Sequence, residues 1–148
     1  MTFGNAVLVA DASGVDAALL ARLASDATLA AMMPDGVYFD IAAPGSTAFV
    51  IVSLMAHETE YQLQQETAWE IYTYMVKAVT IGTSGLSAKA AADRIHELLQ
   101  NAELHPDGYY DMRCQRTERL RNTEVDEASD ARWQHRGGLY EIWVAEDN

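Results

Sequence analysis

The segment His96-Glu97-Leu98-Leu99-Gln100 comes one residue short of the helical zinc motif His-Glu-x-x-His. Zinc needs the second imidazole at i+4 on the same helical face, and Gln100 stands in its place. An exposed helix surface accounts for the segment, which is the sole hook for a small metal-dependent enzyme. His57-Glu58-Thr59-Glu60 would hold a metal only if His105 or His135 converged on it; on the polar hairpin loop predicted there, its side chains are solvated. Gly82-Thr83-Ser84-Gly85 lacks the lysine and the frame of a phosphate loop and reads as a break between strand and helix. Cys114, the single cysteine, falls in the inward row of a predicted strand with no partner motif, the setting of a core thiol and not of a nucleophile. Asp35, Asp40 and the glutamates show no spacing that singles out an acid/base pair. The sequence therefore predicts no catalytic, cofactor-binding or metal-binding residues, no cofactor and no enzymatic role.

Its distinctive chemistry is a charge pattern. Arg113, Arg116, Arg119 and Arg121 make a basic stretch in an acidic chain, and Glu124, Asp126, Glu127 and Asp130 follow at once. One reading is a solvated arm with internal charge pairing, which contributes little energy. The other is a complementary contact with a neighbouring chain, where charge sets partner and register. Trp133 and Trp143 share the outward parity of the strand that follows, and exposed tryptophans favour interfaces, although the N-terminal segment would also serve to cover Trp143. The candidate interaction residues are Arg116, Arg119, Arg121, Glu124, Asp126, Glu127, Asp130 and Trp133.

The elements that must position this pattern belong to one domain. The 148 residues, 49% hydrophobic and 22% charged, have ordinary globular composition. A chain this long buries ~70% of the surface it exposes when unfolded, so a hydrophobic core suffices without a disulfide or metal staple. The formal charge of -12 argues against binding to bare DNA or anionic membranes, yet suits the wall of a passage through which DNA slides. No segment approaches the ~20 apolar residues of a membrane span, and Ala6-Val7-Leu8-Val9-Ala10 is too short for a signal-peptide core. The lone cysteine is compatible with a reducing cytoplasm.

Residues 1–14 are weakly patterned, and residues 15–148 form the domain. Leu19, Leu20, Leu23, Ala27, Ala30 and Ala31 recur at helical spacing, with Ser25-Asp26 placed to cap a second short helix. Pro34-Asp35-Gly36 turns the chain. Strands are predicted over 37–41, 48–56 and 66–79, with a polar loop at 57–65. The longest carries large side chains on both faces, as fits a strand covered by a helix on one side and another subunit on the other. Ser87 to Ala102 is the clearest helix, with one apolar stripe through Ala88, Ala91, Ala92, Ile95, Leu98, Leu99 and Ala102.

A final hairpin can be registered from its apolar rows: Tyr110 opposite Val144, Met112 opposite Ile142 and Cys114 opposite Tyr140, with the tip at Glu127. Only the base of this hairpin has an apolar row, so residues from about 116 to 136 should project as an arm. The fold class is α+β: a mainly antiparallel sheet flanked by helices, with a projecting C-terminal β-hairpin.

The order of elements, with the helical segment Leu19 to Ala31, the Val37-Tyr38-Phe39-Asp40 strand, the Ala-Pro-Gly loop at 43–45, the alanine-rich helix at 87–102 and the ending Trp133 to Ile142, resembles the tail-terminator (tail-completion) family of long-tailed bacteriophages. The resemblance spans roughly residues 15–145. It implies a structural virion protein of a phage, prophage or gene transfer agent, assembled in the bacterial host cytoplasm. Such a protein forms a hexameric ring that caps the tail tube, ends tail growth and takes part in head–tail joining. The implied partners are further copies of itself, the tail tube protein and a head connector or stopper protein, with no sequence-specific nucleic-acid binding and no membrane. The alternative is another head–tail connector component such as a stopper; a monomeric binding module is a further reading that oligomeric state would separate.

Overall fold

In a computed structural model describing residues 14–61 and 68–146, the alanine- and leucine-rich start is two helices, α1 (Gly14–Ala24) and α2 (Ala27–Met32). The bend falls where a side chain can satisfy the orphan N–H groups of a new helix. The Asp26 carboxylate accepts from the Leu29 N–H at 2.8 Å, and Arg94 grips the same carboxylate through Nε (3.0 Å) and Nη2 (2.7 Å). Arg22 reaches across to the Leu98 carbonyl at 2.9 Å. The two short helices are thus tied to α3 (Leu86–Leu99) by polar contacts around an apolar centre of Val15, Leu19, Leu23, Leu29, Ile95 and Leu99.

Arg94 and the Leu29 N–H hold the Asp26 carboxyl at about 2, well below its ordinary 3.8. A carboxylate favoured in the folded state stabilises fully above the ordinary range and loses that contribution as pH falls toward 2. Asp26→Asn should therefore melt below the parent at pH 7. The two melting curves should converge on acidification to about pH 2, as calorimetry across pH would show.

Five strands form a sheet in the order β1-β2-β3-β5-β4. β1 (Val37–Phe39) pairs parallel to β2 (Ala48–Tyr61). β3 (Ala68–Ile81), β5 (Ala131–Glu146) and β4 (Tyr109–Asp126) follow with antiparallel pairing throughout. The Asp35 carboxylate anchors the turn before β1 to the start of β2, taking the N–H groups of Thr47 (2.9 Å) and Ala48 (3.0 Å). The described helices pack on the sheet face bearing Val50, Val52, Tyr74, Val76, Tyr140 and Ile142. Within it, buried Asp16 of α1 receives the Tyr74 hydroxyl.

Two expectations need correction. The predicted loop at 57–65 begins as strand, because β2 runs on to Tyr61 against β3 after an irregularity between Leu54 and Ala56. Backbone pairing needs a neighbouring strand more than it needs apolar side chains. Residues 62–65 of that loop and the first two residues of the predicted strand 66–79, like the weakly patterned residues 1–13, fall outside the described residues.

The hairpin register is shifted. Asp111 faces Val144, Cys114 faces Ile142 and Arg116 faces Tyr140, and the register changes along β4 at irregularities between Asp111 and Arg113 and between Arg116 and Glu118. Each inserts a residue that strict alternation cannot anticipate. Cys114, Tyr140, Ile142 and Val144 are buried as expected, but Tyr110 is 61% exposed and Tyr109 packs inward instead. The expected burial of the Met112 side chain falls outside what is described. The connecting turn occupies 127–130 and includes the expected tip, Glu127.

Next to the second irregularity β5 is confined on both sides. A Cβ at Gly137 would lie 2.6 Å from the Lys77 Cα, and one at Gly138 would lie 2.7 Å from the Glu118 carbonyl oxygen. Only glycine lets β3 and β4 close on β5 here.

Candidate functional site

The hairpin distributes the eight candidate interaction residues over three places. Arg116, Arg119 and Arg121 stand opposite Tyr140, Gly138 and Arg136 of β5, on the helix side of the sheet. With Lys89 and Asp93 of α3 and with Arg136 they line a groove of about 280 Å³. Glu124 and Trp133 face each other on the opposite side. Asp126, Glu127 and Asp130 belong to the exposed turn end. Residues 122–130 are all exposed, and β3 accompanies β5 as far as Ile81 opposite Trp133. The part that outruns the sheet is therefore shorter than 116–136 and amounts to the turn and its immediate flanks.

Internal charge pairing in the arm is limited. Among the described residues Glu124 meets His135 at 3.0 Å, whereas Arg116, Arg119, Arg121, Asp126, Glu127 and Asp130 make no ion pair. Asp126 instead fixes the turn, accepting from the Ala128 N–H (3.1 Å) and the Ser129 hydroxyl (2.9 Å).

The sheet face turned away from the helices has no described helix over it, although its Ile51 and Val79 are already buried. It carries Phe49, Ile51, Met75, Val79, Leu139 and Trp133, with Phe49 and Trp133 in ring contact at 6.2 Å. Farther along, Trp69 meets Trp143 edge-on at 6.0 Å, and the Arg113 guanidinium sits 4.2 Å over the Trp143 ring. A groove of about 380 Å³ near its Trp133 end is lined by Phe49, Ile51, Met75, Val79 and Trp133 together with the polar Asp40, Lys77, Glu124 and His135. Burial lowers the Lys77 and His135 pKa values from their ordinary positions. The large side chains on both faces of β3 thus meet helices on one face and no described helix on the other.

The histidines, the cysteine and the glycine-rich break have structural roles. His96 Nδ1 lies 3.0 Å from the Tyr140 hydroxyl, and burial, with Arg116 and Arg119 nearby, lowers the His96 pKa. Burial pushes the Cys114 thiol up to about 12, far from thiolate chemistry. His57 stands in β2 and not in a loop: it stacks on Tyr72 with ring centroids 4.1 Å apart and contacts Glu70 at 2.8 Å. His105 meets Asp111 at 3.3 Å and His135 meets Glu124, so neither converges on His57. Among the described residues no three His, Cys, Asp or Glu side chains gather as a metal-binding group. Gly82 (φ 134°) takes a backbone conformation suited to glycine, and Gly85 begins α3 with no side-chain cap.

The polar run His57, Glu70, Tyr72 and Tyr109, closed by the two tyrosine hydroxyls at 3.1 Å, was not legible from sequence. His57 faces Tyr72 only because the irregularity between Leu54 and Ala56 reverses the parity of β2, which strict alternation from Val50 and Val52 would not give.

No family model matches this chain, and no curated protein matches it. Among solved structures, a chain from the virion of a native gene transfer agent particle has a similar fold, with a TM-score of 0.64 and 23% sequence identity. The match covers 87% of this chain and 92% of that one, so what is shared is a whole α+β fold.

Proposed function

We propose that this chain is a structural protein of a phage-like particle, a tail terminator that forms a hexameric ring on the tail tube. It would end tail growth there and present a surface for the head connector. The observation that carries this reading is the sheet face opposite the helices, where Phe49, Met75, Leu139 and the tryptophans are half-buried with no described helix over them and suit burial against another subunit. The fold shared with a chain of a gene transfer agent virion supports it, as does the resemblance of residues 15–145 to tail-completion proteins. Catalysis is not part of the proposed role. The site of action is the tail or neck of the particle, after assembly in the host cytoplasm.

Particles made without this chain should have tails of unregulated length and no joined heads. Adding the purified protein should restore capped tails under negative stain. A stopper would instead bind the head connector and leave tail length unchanged, so co-sedimentation with tail tubes against co-sedimentation with connector-bearing heads separates the two. The net charge of -12 gives the ring little affinity for the DNA that passes it. No measurable binding to duplex DNA is expected at physiological salt; micromolar affinity with a steep salt dependence would contradict this.

A further inference from the structure

Five of the chain's ten basic side chains line the single groove between α3 and β4: Lys89, Arg116, Arg119, Arg121 and Arg136. One carboxylate, Asp93, shares it, and Lys89 already pairs with Asp93 at 2.8 Å. Among the described residues none of the four arginines is ion-paired. In a chain of net charge -12 this is a concentrated cationic site in which one carboxylate stands against five basic side chains.

The same hairpin carries the complementary group. Asp126, Glu127 and Asp130 crowd the exposed turn, also without ion pairs among the described residues. The Asp126 contacts to Ala128 and Ser129 hold that turn in one shape, which lowers the ordering cost of docking it. It cannot fold back onto its own groove. β4 and β5 stay paired out to Asp126 and Ala131, and each paired residue adds about 3.3 Å of stiff strand between groove and turn. The two charges can meet only between molecules.

We propose that the acidic turn of one copy seats in the cationic groove between α3 and β4 of the next copy. This is a heterologous contact, one patch against a different patch, and repetition of it closes a ring. The inference rests on the ring reading above and specifies the contact through which neighbours recognise each other. Charge fixes register and partner, while the apolar sheet face supplies buried area.

The test is a charge exchange followed by sedimentation velocity at about 0.1 M salt, where screening acts over ~10 Å. Arg119→Glu with Arg121→Glu should weaken association by about 100-fold or more, and so should Asp126→Lys with Glu127→Lys and Asp130→Lys. All five substitutions in one chain should restore part of the association lost in either set alone, since the lysines of the turn then meet Asp93 and the carboxylates placed at positions 119 and 121. Circular dichroism and melting of each variant confirm that these exposed changes leave the fold intact. Charge variants that assemble like the parent, or a five-fold exchanged chain that stays dissociated, would overturn the contact. Duplex DNA bound by the parent and lost in the Arg119→Glu, Arg121→Glu variant would also overturn it, by giving the groove another occupant. A parent that is monomeric at all concentrations removes the ring itself; a parent ring that survives the charge variants removes only this contact.

Discussion

Ile142→Asp should be the most destabilising single change in the chain. Ile142 is 1% exposed and packs in the centre of the core with Cys114, Tyr140 and Val144. A carboxylate there has no partner, and an uncompensated buried charge costs about 3–5 kcal/mol. For a domain of this size that corresponds to a fall in Tm of about 10 °C or more. Ile142→Val, which removes one methyl group, should cost only about 1 kcal/mol. Thermal melts of the two variants check the strand parity of β5. If Ile142→Asp melted within a degree or two of the parent, Ile142 would not face the core.

Shortening the hairpin should have the opposite profile, with a large effect on assembly and a small one on folding. Joining Glu124 to Trp133 through an Asn-Gly turn removes residues 125–132 while keeping every pair between β3 and β5, which ends at Ile81 opposite Trp133. The deleted residues lie outside the core. The shortened chain should therefore melt within a few degrees of the parent yet fail to assemble onto tails. Hydrogen exchange at 122–131 should be rapid in the monomer, where β4 is the edge of the described sheet, and slow in the assembled particle. Normal tail capping by the shortened chain would show that the turn plays no part.

What the sequence revealed and what it hid have a common physical cause. Elements set by local chemistry were legible: the Asp26 cap between α1 and α2, the apolar stripe of α3 and the inward row Tyr140, Ile142 and Val144. Features set by pairing with a distant strand were not. The two irregularities in β4 shift its register without any mark in the alternation of side chains, and they turn Tyr110 out to solvent. The extension of β2 to Tyr61 depends on β3 lying beside it, not on the polar residues 57–61 themselves.

The candidate interaction residues show the same division. Their charge pattern was visible as an alternation along one segment, but not their separation onto two sheet faces and a turn. Nor was the contribution of Lys89 and Arg136 to the cationic groove, because these residues meet Arg116, Arg119 and Arg121 only when α3 and β5 pack beside β4. The apolar sheet face was partly foreseen in the two-sided composition of β3. Its continuity through Phe49, Leu139 and Trp133 required the strand order.

The central claim is that this chain builds a closed ring, and native mass spectrometry of the purified protein across concentration and salt tests it most directly. One discrete oligomer is expected, a hexamer of the 16.3 kDa chain, that gains population with concentration and dissociates to monomer as salt rises. A monomer at every concentration, or an open-ended ladder of sizes with no preferred species, would contradict it.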